Sequence, residues 1–361
     1  MAVMIGRVRP AVLNLASYRP GKAASQIEDE HGIEDAIKLA SNENPWSPAP
    51  AVIDAIVEAA SGVNRYADNN ASEVRVAIGE WLGVDVSRIT VGCGSSGLLQ
   101  QLFMTFVDPG DEVIFPWPSF EIYPVFSTLC DAVDVRVALD SNFAFDLDAV
   151  AEAVTDRTKV IFLATPNNPT GSAISMDEVN TLLHRIPDDV IVVIDEAYRE
   201  FSDASFGDPI VDLQPTHPNL VVTRTFSKAF GLAGLRSGYG VADPSIIEQL
   251  DKVRLAFSVN NLAQAGMLAA IEHEAAALKN VTSLVTERDR CIEALANAGV
   301  ETPPAHGNFV FIPTGAATEE IAIAMEKQGL VTRPFAGFGL RVTIGSPEQN
   351  DRWLEAFFAA R

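Results

Sequence analysis

Cysteine is scarce in this chain, with three in 361 residues, at positions 93, 130 and 291. An odd number without CxxC spacing suggests neither a disulfide framework nor a zinc site. Cys93 has no partnering base nearby in sequence and reads as a small buried thiol. The five histidines are scattered, and Ile271-Glu-His-Glu274 lacks the second histidine of a HExxH helix, so no metal site is expected. Positive charge is short as well. Twenty-six basic residues stand against 48 acidic ones, a formal net charge of −22. That balance argues against nucleic acid or an anionic membrane as partner. No segment approaches the length of a membrane span, and the apolar stretch Met1–Ile5 is too short for a secretory signal, so a cytoplasmic protein is expected.

What is present is a large apolar fraction, 48% of residues. It is ample for two domains, or for one large α/β domain with an accessory lobe. Apolar β-rich runs alternate with helical stretches from about residue 89 to 241: Arg88–Val91, Glu112–Phe115, Val133–Leu139, Lys159–Leu163, Val190–Ile194, Leu220–Thr223 and Gly238–Val241. Several are continuously apolar, as expected of strands covered on both faces. Helices are predicted over Gly97–Phe106 and Ser175–Arg185, the latter opened by a capping box at Ser175-Met-Asp-Glu178. An open, mostly parallel sheet with right-handed crossovers follows. The last third differs: a long helical stretch over Ser258–Ala298, then strands at Asn308–Ile312 and Leu340–Ile344, suggests a smaller α+β lobe.

Ligands of open α/β sheets bind at the carboxyl ends of strands. Those ends carry Gly92-Cys-Gly94-Ser95-Ser96-Gly97, Trp117-Pro-Ser-Phe120, Pro166–Gly171 with Asn168, Asp195-Glu-Ala-Tyr198 and Thr225-Phe-Ser227-Lys228. Gly92-x-Gly94-x-x-Gly97 formally matches a dinucleotide fingerprint, but the next strand ends in Phe115-Pro-Trp-Pro118 with no carboxylate for a ribose, so that reading fails its context test. The same loop suits one phosphate, using helix N-terminal N–H groups and the hydroxyls of Ser95 and Ser96, with Thr225 and Arg236 adding donors. Only seven lysines occur, against nineteen arginines. Lys228, delivered by an apolar run, is either a surface lysine at a helix start or a desolvated amine nucleophile of the Schiff-base kind. Asp195 is either a helix cap or the partner of a protonated ring nitrogen. Asn168 and Tyr198 suit hydrogen bonds to a ring hydroxyl, and Phe120 or Trp117 suits stacking. A single phosphate, an aromatic platform, a buried carboxylate and an amine together describe pyridoxal 5′-phosphate.

With these residues assembled, the chain resembles the fold-type I pyridoxal-phosphate aminotransferases, within them the histidinol-phosphate and aromatic amino acid aminotransferase group. The matching stretches run in the family's order: Lys38–Asn44, Asn64–Asp68, Val91–Ser95, Asn167–Gly171, Ile194–Tyr198, Thr225–Arg236 and Leu340–Gly345. Tyr18–Lys22, the Gly-Cys-Gly-Ser loop, Ser119–Tyr123 and Val331–Phe335 are similar to aromatic (phenylalanine) aminotransferases of actinobacterial type. The resemblance implies a mostly parallel seven-stranded sheet sandwiched by helices in a large domain over residues 44–268. An amino-terminal arm and a smaller α+β domain take residues 1–43 and 269–361. It implies Lys228 as the Schiff-base lysine, with Asp195 and Tyr198 beside it. Gly94, Ser95, Ser96, Phe120, Asn168, Thr225, Ser227 and Arg236 would hold the cofactor, Tyr66 reaching the cofactor phosphate of the neighbouring subunit of a homodimer. Arg341, Arg333, Asn168, Tyr18 and Asn42 would meet substrate, Arg341 through its carboxylate. The implied reaction passes the amino group of phenylalanine or tyrosine to 2-oxoglutarate. Histidinol phosphate as donor, a decarboxylase of the same fold and a non-catalytic binding protein remain as alternatives.

Overall fold

The computed structural model describes residues 8–13, 15 and 21–361. Its first strand, β1 (Ile37–Lys38), is short. Seven strands then build the main sheet: β2 (Ile89–Cys93), β3 (Glu112–Trp117), β4 (Val133–Ala138), β5 (Thr158–Ala164), β6 (Ile191–Asp195), β7 (Leu220–Thr225) and β8 (Ser237–Val241). Their spatial order is β2-β8-β7-β6-β5-β3-β4, with only β8 running against its neighbours. All seven apolar runs of the sequence therefore become one α/β sheet.

Alternation explains how the sheet is covered. Val192 and Ile194 of β6 enter one buried core, whereas Ile191 and Val193 enter another. Leu220 and Val222 likewise part from Val221. Successive strand side chains point to opposite faces, so an unbroken apolar run feeds both layers at once. Two aromatic stacks, Phe103 on Phe162 and Phe162 beside Tyr123, fix the helical layer over β3 and β5.

The helix after β2 spans Gly94–Phe106, three residues earlier than predicted, so the glycine–serine loop is itself the first helical turn. The helix Met176–Leu183 carries both bonds of the expected capping box at Ser175 and Glu178. The long carboxy-terminal stretch divides into Asn261–Glu272, Glu274–Ala277 and Val281–Asn297, because the backbone leaves helical geometry at His273 and again before Val281.

The last four strands are β9 (Phe309–Ile312), β10 (Leu330–Val331), β11 (Arg333–Phe335) and β12 (Gly339–Thr343). Antiparallel β11-β12-β9 form a small sheet, and β1 pairs with β10. Leu39 and Ala40, just after β1, pass alongside the small sheet, where Leu39 O accepts from Thr343 N. Cys93 is exposed rather than buried: it ends β2, the edge strand of the sheet. Among the described residues no helix is long and apolar enough to cross a membrane.

Candidate active site

A cavity of about 310 Å³ opens at the carboxyl ends of β5, β6 and β7. It is lined by Ser95, Ser96, Phe120, Asn168, Asp195, Tyr198, Thr225, Ser227, Lys228, Arg236, Arg333 and Arg341. Strand order accounts for this gathering: residues far apart in sequence leave the sheet at adjacent strand ends. Trp117, the other stacking candidate, lies instead under the Arg136 guanidinium at 4.6 Å.

Around the glycine loop the donors crowd together. Gly94 has φ +70°, and a Cβ placed there would meet Arg236 Nη2 at 2.6 Å. The missing side chain is what admits the guanidinium. Arg236 itself sits at φ +58°, a left-handed backbone that a non-glycine residue keeps only when its surroundings impose it. Its carbonyl accepts from Gly94 N at 2.9 Å, locking β8 to the helix start. Thr225 Oγ1 donates to the Ser237 carbonyl at 3.1 Å and accepts from the Ser227 hydroxyl at 2.8 Å. Two hydroxyls of the Gly94–Phe106 helix, Ser95 and Ser96, join this cluster at the positive end of the helix dipole.

Asp195 is 2% exposed. Its carboxylate accepts from Tyr123 Oη at 3.1 Å and from Thr223 Oγ1 at 3.2 Å. Burial pushes its pKa up to about 6, while the Tyr123 and Thr223 hydrogen bonds pull the other way. Lys228 Nζ donates to the Ser41 carbonyl at 3.0 Å. Burial lowers its pKa to about 7; the Arg341 cation reinforces that and Glu43 opposes it. An amine that loses its proton near neutrality has the chemistry of a nucleophile, and Lys228 lines the cavity rather than an open surface. Arg341 donates to the Asn168 side chain and to the Ala40 carbonyl.

Two expected residues stand elsewhere, and a third is not among the described ones. Asn42 is fully buried and lines no part of the cavity. Its Nδ2 donates to Tyr198 Oη, its Oδ1 accepts from Thr343 Oγ1 and its carbonyl from Asn308 Nδ2, so it ties the small sheet to Tyr198. Tyr66 is 82% exposed and stacks on Phe257, with ring centroids 4.5 Å apart. Tyr18 lies outside the described residues.

Over residues 34–357 the sequence matches the family aminotransferase class I and II. The chain belongs to that family. An aromatic amino acid aminotransferase of Rhodococcus opacus is 44% identical to it over 351 residues, covering 97% of this chain and 95% of that protein. A protein of the same description from Nocardia farcinica is 43% identical over 360 residues, 99% of this chain and 98% of its own. The solved histidinol-phosphate aminotransferase of Sinorhizobium meliloti, in complex with pyridoxal-5′-phosphate, matches the fold with a TM-score of 0.90 at 26% identity, over 99% of this chain and 100% of that one. The fold is thus that of the fold-type I aminotransferases.

In this aminotransferase the donor set suits a phosphorylated pyridine aldehyde: anion donors packed against a side-chain-free Gly94, a buried carboxylate, an aromatic face and a low-pKa amine in one cavity. Four contributors escaped sequence reasoning. Tyr123 stands three residues beyond Phe120, one helical turn away, and its apolar neighbours make it read as core. Thr223 is the register partner of Asp195, a signal available once β6 and β7 are paired. Glu121 and Glu43 also line the cavity, and nothing in their local sequence separates them from solvated acids. Among the described residues, one triad of ligand-type side chains clusters elsewhere, Glu30, His31 and Glu326; Lys22 already pairs with both of its glutamates.

Proposed function

We propose that this chain is a pyridoxal-phosphate-dependent aminotransferase moving the amino group of an aromatic amino acid, phenylalanine or tyrosine, to 2-oxoglutarate, as a cytoplasmic homodimer. What carries the reading is one cavity in which a neutralisable amine, a buried carboxylate, a cluster of anion donors and a second guanidinium converge. The two aromatic amino acid aminotransferases above 40% identity support the substrate class.

Pyridoxal 5′-phosphate, when bound, supplies an aldehyde that takes up amines and a ring that accepts the electron pair released at the substrate's Cα. Ser95, Ser96, Thr225, Ser227 and Arg236 would hold its phosphate, with Gly94 leaving them room. Tyr66 of a second subunit would complete that cluster. Phe120 would stack on the ring, Asn168 and Tyr198 would meet its hydroxyl, and Asp195 would face its nitrogen. Asp195 would keep a proton on that nitrogen through an ionised carboxylate, which Tyr123 and Thr223 support by donating to it. Lys228 would hold the aldehyde carbon of the bound cofactor. A free Nζ beside the substrate would remove the Cα proton and redeliver it, which its pKa near neutrality allows. Arg341 clamps the substrate carboxylate in the planar geometry that guanidinium favours and so orients the Cα–H bond.

Lys228→Ala tests the whole assignment. The purified protein should lose its visible absorbance with pyridoxal phosphate and at least about 10³-fold in phenylalanine:2-oxoglutarate turnover. Wild-type turnover in that variant would refute the reading. Phenylalanine, tyrosine and histidinol phosphate, compared as donors in the wild-type enzyme, decide the substrate class.

A further inference from the structure

Two acidic side chains in the cavity, Glu43 and Glu121, have no part in that mechanism, and Glu121 faces a cation of the site. Arg333 of β11 and Arg341 of β12 are direct partners across an antiparallel ladder, and both line the cavity. Two like charges in that relation repel. Arg341 is buried and held by Asn168 and the Ala40 carbonyl. Arg333 meets Glu121, which follows Phe120 and accepts from Nε at 3.0 Å and from Nη2 at 2.5 Å. Besides Arg236, the cavity therefore contains two guanidinium receptors for anions, one of them facing a resident carboxylate of the protein itself. The Glu121 side chain is about a third exposed and leaves β3 on a loop, so it can turn to water, whereas Arg333, 14% exposed, then needs another anion in its place.

An aromatic amino acid brings one carboxylate, and Arg341 suffices for it. A substrate with a second, distal anion must win Arg333 from Glu121. We propose that Glu121 is a specificity-determining residue: its carboxylate competes internally for Arg333 and sets the preference between substrates with neutral side chains and substrates carrying a distal carboxylate or phosphate. The inference rests on reading the cavity as an amino-acid site. It accounts for how a cavity with two arginines besides Arg236 accommodates an apolar ring without leaving the second of them uncompensated.

The test compares wild-type holoenzyme, Glu121→Gln, Glu121→Ala, Arg333→Gln and the Glu121→Gln/Arg333→Gln double variant. Calorimetry reads the affinity of glutarate and 3-phosphonopropionate relative to 3-phenylpropionate, none of which carries an amine. Glu121→Gln should raise the glutarate to 3-phenylpropionate affinity ratio about fivefold, the effect of losing an ion pair worth about 1 kcal/mol. Arg333→Gln should lower the ratio, and in that background loss of Glu121 should have no further effect. A gain shared by glutarate and 3-phosphonopropionate marks a receptor for any distal anion; a gain for one alone assigns carboxylate or phosphate as its ligand. An unchanged or falling ratio in both Glu121 variants overturns the proposal, as does a Glu121 effect that persists without Arg333. Turnover of phenylalanine with 2-oxoglutarate is measured in parallel. If the wild type fails there, the functional reading falls, while the binding ratios still decide the role of Glu121.

Discussion

The Lys228 amine is poised by charges that can be removed one at a time. Burial sets most of its depressed pKa, Arg341 adds to the depression and Glu43 offsets it. Below about pH 7 the amine is protonated and inert; above, it is free to attack. The rate at which the apo protein takes up pyridoxal phosphate, followed by visible absorbance, should therefore rise through a midpoint near pH 7. Removing a nearby cation favours the ammonium, so Arg341→Gln should move that midpoint upward. Removing the Glu43 carboxylate disfavours it, so Glu43→Gln should move the midpoint downward. Shifts of the same sign in both would show that Coulomb effects are not what tunes the lysine. Tyr123 offers a second test, since its hydroxyl donates to the Asp195 carboxylate. In Tyr123→Phe that carboxylate loses a bond to its charged form and its pKa rises further above 6. Hydrogen bonds to charged groups are worth about 1.5–3 kcal/mol, so the variant should retain the cofactor at least about tenfold more weakly, read by equilibrium titration, and most weakly below neutral pH. Asp195 and Lys228 were legible in the sequence because each is polar and ends an apolar run. Tyr123 was not, since an aromatic in the first turn of a helix looks like core until its hydroxyl is seen to face a carboxylate. Asn42 was overread for a related reason: a motif names a residue without saying whether its side chain faces the ligand or braces the wall.

Strands and helices position the anion donors through close backbone contact. At Gly238 of β8, an added Cβ would lie 2.5 Å from Ser95 N and 2.7 Å from the Gly94 carbonyl carbon, so β8 presses directly on the first turn of the Gly94–Phe106 helix. Gly238→Ala must push that turn away, at a cost of about 1–3 kcal/mol in overpacking. Pyridoxal-phosphate affinity should fall about tenfold or more, with a lower thermal midpoint. Gly240→Ala, two residues along the same strand, meets nothing nearer than Thr90 Cγ2 at 3.3 Å and should leave the affinity within a factor of about two. Equal losses in the two variants would mean that strand disruption, not pressure on the loop, is responsible. The sheet itself was readable from seven apolar runs and the rule that crossovers are right-handed. The reversed direction of β8 and the Arg333–Arg341 register were not, because strand direction and pairing are fixed by contacts between segments far apart in sequence. The helix start at Gly94 rather than Gly97 has a local cause: glycine penalises a helix in propensity, but here its left-handed φ leads the chain from β2 straight into the first turn.

On the scale of the whole molecule, one surface is unusually apolar for so acidic a chain. Tyr66 and Phe257 stack in the open, Leu255 is 77% exposed, and Val57 and Val63 are exposed as well. Asn261 ties this region together by donating to the Gly62 and Arg65 carbonyls, and Phe257 N donates to Asn69 Oδ1. Exposed apolar clusters of this kind mark surfaces that cover one another, and a homodimer placing Tyr66 at the neighbouring cofactor site would use this one. Each chain carries a formal charge of −22, so two copies repel at low ionic strength, and screening relieves that repulsion while leaving apolar burial intact. Sedimentation velocity should therefore find a dimer that tightens as sodium chloride rises from 10 to about 300 mM, the opposite of an interface held by ion pairs. Leu255→Glu adds a charge to the apolar surface and should dissociate the dimer at micromolar concentration. If Tyr66 acts across the interface, the dissociated chain should also bind pyridoxal phosphate more weakly, and Tyr66→Phe should weaken binding without dissociation. A Leu255→Glu monomer that binds the cofactor as the wild type does would remove Tyr66 from the site and leave the phosphate wholly to the chain's own donors.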